Sequence, residues 1–253
     1  ERLLPEHPQF SMATSILIYN TIYTLILLVL IDPLVRFVTS LVKEKQEKYE
    51  EVSYIDERFL KTPAVALEQA LRELTDMAHL AKENIERSFN ALLHEDLSES
   101  KKISEVEYRI DYLTNALIGF FIKISSQTKF EGDDKIVGAL HHVTNDIERL
   151  GDHAVLLIKE ANYMLKNDVK FSDETKEELS KIYAMITELF ELGFNAFSKR
   201  KTEQFNTISD LHNEITTLVS CTRDEHASRL NAGLLPVEVS KSIYSTLFSM
   251  QRI

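Results

Sequence analysis

Residues Asn145 to Ala154 read NDIERLGDHA, and the reading of the chain turns on them. Taken as a helix, the stretch sets Glu148 and Asp152 four residues apart and so on one side. Behind them runs an apolar stripe, Val143, Ile147, Leu150, Ala154, Leu157 and Ala161, at the period of a helix buried in a bundle. An earlier segment repeats the arrangement, with Glu107 and Asp111 beside Ile103, Val106, Ile110, Leu113, Leu117, Phe120 and Ile124. On a helical wheel both acid pairs flank or oppose the stripe, which turns them toward water or a partner. Two such pairs on adjacent helices could grip a hard cation or stand as two solvated faces. Asp and Glu together number 40, so roughly six pairs at this spacing arise by chance, and spacing alone does not decide. Gly151 adds a hint. A mid-helix glycine costs up to about 1 kcal/mol against alanine and calls for a reason such as close backbone approach.

Outward from this motif, composition narrows the class. Only 6 Gly and 5 Pro occur in 253 residues, and no run of β-branched alternation appears, so an all-α fold is expected. A formal net charge of -11 argues against a nucleic-acid partner. A lone cysteine, Cys221, excludes an internal disulfide and any Cys-based zinc site, and is read as a small packing residue. The chain opens on Glu1 and closes on Ile253 inside a helical pattern with no stop signal, and is read as a fragment of something longer.

Residues 8–31 carry no formal charge. Within them Ile16 to Ile31 is almost wholly apolar (ILIYNTIYTLILLVLI) and predicts a bilayer-crossing helix. Asn20 is its one strongly polar side chain. Residues 1–42 are thus read as the end of a membrane domain. The cluster Lys43, Lys45 and Lys48 places the downstream chain in the cytoplasm. Residues 43–61 read as a charged linker without a period. Thr62-Pro63 then caps the first soluble helix, whose stripe runs Leu67, Leu71, Leu74, Ala78, Ala81, Ile85, Phe89 and Leu92. Asp96 with Glu99 opens the second helix, and Gly132-Asp133-Asp134 recaps the third. Phe171-Ser172-Asp173-Glu174 starts the fourth, Thr202 caps the fifth with Phe205, Ile208, Leu211, Ile215 and Leu218 as its core face, and Gly233 and Pro236 precede the sixth. Six helices in two sets of three describe an internal duplication: two tandem three-helix bundles, residues 62–168 and a truncated 169–253. Glu148-Arg149-Leu150 falls over Gln251-Arg252-Ile253.

Three stretches carry a family resemblance: the apolar span with Tyr19-Asn20 and Pro33; YIDERFLKTPAVALEQA, Tyr54 to Ala70; and NDIERLGDHA. The soluble part resembles a PhoU-like domain, and the whole chain resembles the C-terminal part of a bacterial sodium/phosphate cotransporter. The resemblance implies bundles that bind metal through E(D)xxxD pairs, with Glu107, Asp111, Glu148 and Asp152 as ligands. Carboxylates suit iron or another hard divalent cation. It also implies an inner-membrane location with cytoplasmic bundles. Partners would be the lipid bilayer, phosphate and sodium bound in a transport domain absent from this sequence, and a regulatory protein or second copy. The second repeat departs from the pattern: His212 and Thr216 stand where Glu107 and Asp111 do, and Gln251 replaces Glu148. A membrane-anchored PhoU-like regulator that is not itself a transporter is the alternative.

An enzyme is not expected. Carboxylate-bridged di-iron bundles need inward-facing Glu and Glu-x-x-His pairs. The near match is Asp76-x-x-His79, and no nucleophile–base set or phosphate loop appears. His141 and His142 point to different helix faces and read as one packed and one exposed, and Arg149 as a neutraliser of the neighbouring acids.

Overall fold

The computed structural model of the chain describes residues 8–41, 54–127, 131–199 and 203–253. Among these residues it is all-α, with no strand. The helices are α1 (Pro8–Leu41), α2 (Pro63–His94), α3 (Ser100–Gln127), α4 (Glu131–Lys166), α5 (Asp173–Lys199), α6 (Phe205–Asn231) and α7 (Val237–Arg252), with a short 3-10 helix at Glu57–Lys61. The chain divides into two compact units, Glu1–Glu50 and Glu51–Ile253.

The first unit is α1. It runs unbroken through the apolar stretch and carries Pro33 inside it. The expected membrane span is not found: among the described residues no helix is long and apolar enough to cross a bilayer. The apolar run of α1 begins at Ile16, and the side chains of Val29 and Asp32 lie outside the described residues. Within that run Ile16, Leu17, Tyr19, Leu25 and Leu28 are all more than half exposed. The lysine cluster at 43–48 lies outside the described residues.

In the second unit α2, α3 and α4 pack on one another, α5, α6 and α7 do likewise, and α4 also packs on α7. The predicted stripes form the cores: Leu74, Ala78, Ala81, Ile85, Phe89 and Leu92 of α2 are buried, as are Ile110, Leu113 and Leu117 of α3. The face of α2 is wider than its stripe. Ala66, Ala70, Met77, Asn84 and Ser88 are also buried, because α2 meets α4 on one side and α3 on another. Asn84 Nδ2 donates to the Ile103 carbonyl at 3.0 Å and Ser88 Oγ to the Asn84 carbonyl at 2.8 Å, which satisfies part of this buried polarity. Across to α5, Phe89 stacks on Tyr183 with ring centroids 4.1 Å apart, and Lys82 pairs with Glu191. One expected core residue is misplaced: Phe205 is 58% exposed at the first turn of α6. Cys221 is likewise exposed, not packed.

The connectors differ most from expectation. Thr62 holds the N-cap position of α2, but its side chain makes no capping bond. The linker is not featureless: Asp56 caps the 3-10 helix by accepting from the Arg58 N–H at 2.8 Å, and Leu60 is buried. The Tyr54 N–H donates to Glu73 Oε2, 2.8 Å away, so a buried carboxylate of α2 ties the linker down. Ser172 accepts from the Thr175 N–H at 3.2 Å and starts α5 as expected. Thr202 lies outside the described residues. The α2 and α4 ends turn through left-handed Glu95 and Asp168, at φ of 57° and 51°, where no glycine marks the turn.

Truncating the stacked aromatic between α2 and α5 tests the packing. Phe89→Ala is expected to lose about 3–5 kcal/mol of unfolding free energy, read from urea denaturation. A loss below about 1 kcal/mol would contradict the contact.

Candidate functional site

Packing α3 beside α4 sets Glu107 and Asp111 against Glu148 and Asp152. The approach is close because residue 151 has no side chain. A Cβ there would lie 2.5 Å from Glu107 Oε2 and 3.2 Å from Ile110 Cδ1. The Glu107 carboxylate therefore occupies the space a side chain at 151 would fill, which is the reason the sequence left open for Gly151. The wheel turned both pairs toward water. The structure leaves Asp111 and Asp152 exposed but draws Glu107 and Glu148 partly inward, because the two helices converge at the glycine.

The electrostatic consequence is shared. Burial pushes the Glu107 carboxyl up to about 7, helped by the charges of Asp111, Asp152 and Glu148 and by a hydrogen bond with Asp152. Asp111 is raised by burial and by the charge of Asp152. Glu148 is raised by burial and then by Asp152 and Asp111, with Arg149 pulling the other way. The four predicted residues thus form one electrostatic group. Glu107 Oε2 is buried, and among the described residues no donor reaches it. Such an oxygen is satisfied by a proton or a cation.

The arrangement stops short of a clamp. Among the described residues no three His, Cys, Asp or Glu side chains stand close enough to hold an ion as they are placed. The donor chemistry, all oxygen with one orphaned buried atom, suits a hard cation. The placement suits carboxylates that share a proton across Gly151.

Other candidates fall elsewhere. Arg149 makes a long pair with Asp146, 3.8 Å apart. His141 is half-buried and His142 exposed, as expected, and the His141 ring lies 3.3 Å from the Asn145 amide. Asp76 and His79 are both exposed, with His79 edge-on to Phe194. In the second repeat His212, Thr216 and Gln251 do come together. With Arg252 they line a cavity of about 250 Å³ between α5, α6 and α7, over an apolar floor that includes Ile215 and Met250. Among the described residues that line it there is no Asp or Glu side chain.

Sequence reasoning missed two buried polar centres. Glu73 is one. The other is His226, fully buried, whose Nε2 lies 2.8 Å from Glu178 Oε2. Arg229 beside it reaches Glu174, Glu178 and Glu225. The i,i+4 pair Glu225 and Arg229 was visible, but its partners sit on another helix.

Known proteins share this architecture. Residues 74–161 match the family model of the PhoU domain. The crystal structure of PhoU from Pseudomonas aeruginosa has the same fold, with a TM-score of 0.68 at 16% identity over 74% of this chain and 88% of that one. Two curated relatives, both named "Putative inorganic phosphate export protein YjbB", come from Escherichia coli and Shigella flexneri. Each is 20% identical over 239 residues, covering 93% of this chain and 44% of the relative. The chain thus spans less than half the length of the curated relatives it matches.

A pH dependence follows from Glu107. Its carboxyl titrates at 4.5 in an unperturbed setting and near 7 in the folded chain. Between these values the folded state binds the proton more tightly. Its stabilising contribution is therefore complete below 4.5 and is lost as pH rises through about 7. In chelator-treated protein we expect about 1–2 kcal/mol less stability at about pH 8 than at about pH 5 from this group, discounted for its exposed edge. Glu107→Gln should reduce the slope, and so should Gly151→Ala, by displacing the carboxylate. Denaturant unfolding across this range checks it, and an unchanged slope in both variants overturns the assignment.

Proposed function

We propose that this chain, as the carrier of a PhoU domain, is the regulatory part of a membrane protein that moves inorganic phosphate. Its bundles lie in the cytoplasm and α1 sits in the inner membrane. The observation that carries the reading is Glu107, seated against Gly151 among Asp111, Glu148 and Asp152. That group answers to a proton or a hard cation, and iron or another divalent ion held by Glu107, Asp111, Glu148 and Asp152 would neutralise it. Such an ion supplies charge and cross-links α3 to α4. The chain's own contribution is to hold the acids in register on two rigid helices and to keep a glycine where they meet.

The phosphate assignment is supported by the PhoU domain and by similarity to YjbB, whose name speaks of phosphate export. Sodium coupling is supported by the resemblance read in the sequence. Sodium and phosphate sites would belong to the transport path, near the bilayer midplane, and not to these bundles. The membrane reading of α1 is supported by its sequence: residues 14–31 contain no Asp, Glu, Lys or Arg. Regulation would act through contact between the bundles and the transport path or a second copy. No catalysis is assigned.

Two measurements test this. Plasma mass spectrometry of the purified chain is expected to find a divalent metal at near-stoichiometric level, lost in the Glu148→Gln/Asp152→Asn double variant. Metal at equal level in both, or in neither with both folded, removes the cation from the proposal. Alkaline extraction of membranes from cells making the chain should leave it in the pellet. Leu25→Arg should shift it toward the supernatant, since a charge at mid-span costs about 2.5–3.5 kcal/mol. A parent chain that washes out rules against the membrane reading.

A further inference from the structure

The cavity between α5, α6 and α7 sets a polar rim over an apolar floor, and no residue of the acid group lines it. Ile215, Val219 and Met250 belong to the floor, each no more than 6% exposed. Its volume is about 250 Å³. An apolar cavity of about 150 Å³ already takes benzene, and drug-sized pockets begin at about 300 Å³. The space therefore suits one ring or a branched chain with a small substituent.

The rim is one-sided in its chemistry. His212 and Thr216, four apart on α6, share a face, and Gln251 and Arg252 reach in from the last turn of α7. All four side chains carry donors, and none makes a hydrogen bond or ion pair among the described residues. The Arg252 guanidinium sits 5.5 Å over the Phe248 ring, and the Ile253 N–H donates to the Ser249 carbonyl at 3.1 Å. These contacts orient the cation and keep its turn helical. The acids nearest in sequence are turned away. Glu214 faces a separate groove with Lys181 and Cys221, and Asp210, exposed, stands two places from His212 and so off its face. A fixed cation and three further donors thus overhang an apolar hollow with no carboxylate side chain among its lining residues.

We propose that this cavity binds a small organic anion, an oxyanion head carried on an aryl or branched-alkyl body. The head accepts from the fork of Arg252, and the Thr216 hydroxyl and Gln251 amide donate to its remaining lone pairs. The body lies on the floor, where Phe190 offers a ring face and Met250 an adaptable thioether. A carboxylate and a phosphate monoester share this head chemistry. Inorganic phosphate has the head without the body and leaves the floor unused. The bound anion touches α5, α6 and α7 together, so occupancy stabilises their packing. The site is independent of the cation reading, since none of its lining residues lies on α3 or α4. The net charge of -11 repels anions at long range, so binding depends on this local cluster.

The test is carbon-13 NMR of the methionine methyl groups in the whole 253-residue chain, held in a fixed concentration of neutral detergent. Met250→Leu identifies the signal at the cavity floor. Benzoate and phenyl phosphate are titrated in separate arms, with benzamide as the uncharged match and inorganic phosphate as the head alone. A saturable shift of the Met250 methyl is expected with at least one of the two organic anions, and the tighter of them assigns the head. Benzamide and inorganic phosphate should bind at least about tenfold more weakly. Arg252→Gln should weaken the organic anion by about the same factor without altering thermal unfolding, and Arg252→Lys should retain part of the affinity. No saturable shift with either organic anion, equal binding of benzamide or inorganic phosphate, or a shift that survives Arg252→Gln overturns the proposal. The Glu148→Gln/Asp152→Asn variant separates the two readings: it should lose metal and keep the anion-induced shift.

Discussion

The packing of α2 against α4 is the constraint from which the other elements take their places. Ala66, Ala70, Ala78 and Ala81 of α2, none more than 1% exposed, keep that face of the helix small. Small side chains let two backbones approach, and close approach recovers in dispersion what each alanine lacks in apolar area. Helix length matters as well. The 36 residues of α4 extend about 54 Å, enough to serve two cores. Ile147 joins the cluster with α2 and α3, whereas Leu157, Ala161 and Met164 join the cluster that includes Leu179 and Ile243. A single helix thereby ties one repeat to the other.

That double duty explains the density of information in NDIERLGDHA. Ile147 and Ala154 are buried. Glu148 and Asp152 look toward α3, and Arg149 toward solvent. Gly151 removes the one side chain that would hold α3 away. Three directions served from ten residues follow from the 3.6-residue turn, which presents neighbouring positions to different neighbours. The cost of the arrangement is electrostatic. A carboxylate pressed into a partly buried site among three others is stable only when charge is removed or balanced, so the site responds to protons or cations by construction.

Between α5, α6 and α7 the polar chemistry differs from that between α3 and α4. His212, Thr216 and Gln251 line a cavity with an apolar floor, while the polar groups His226, Glu178 and Arg229 meet between α5 and α6. Fold persists because the apolar period is kept, and chemistry diverges because surface and seam positions are free to change.

The local part of the structure was legible in the amino-acid order alone. Apolar spacing marked every bundle helix, and Gly233, Pro236, Ser172 and the Asp96 region marked their boundaries, since hydrophobic period and terminus chemistry are properties of neighbouring residues. The same reading picked out Glu107, Asp111, Glu148 and Asp152. Contacts between helices settled the remainder: Glu107 is drawn in against Gly151 while Asp111 stays exposed, Phe205 and Cys221 face outward, Glu73 anchors the linker, and His226 meets Glu178. Each of these depends on which helix lies alongside. A helical wheel gives the direction in which a side chain points, but burial, pairing and shifted protonation arise from atoms brought together from distant parts of the chain.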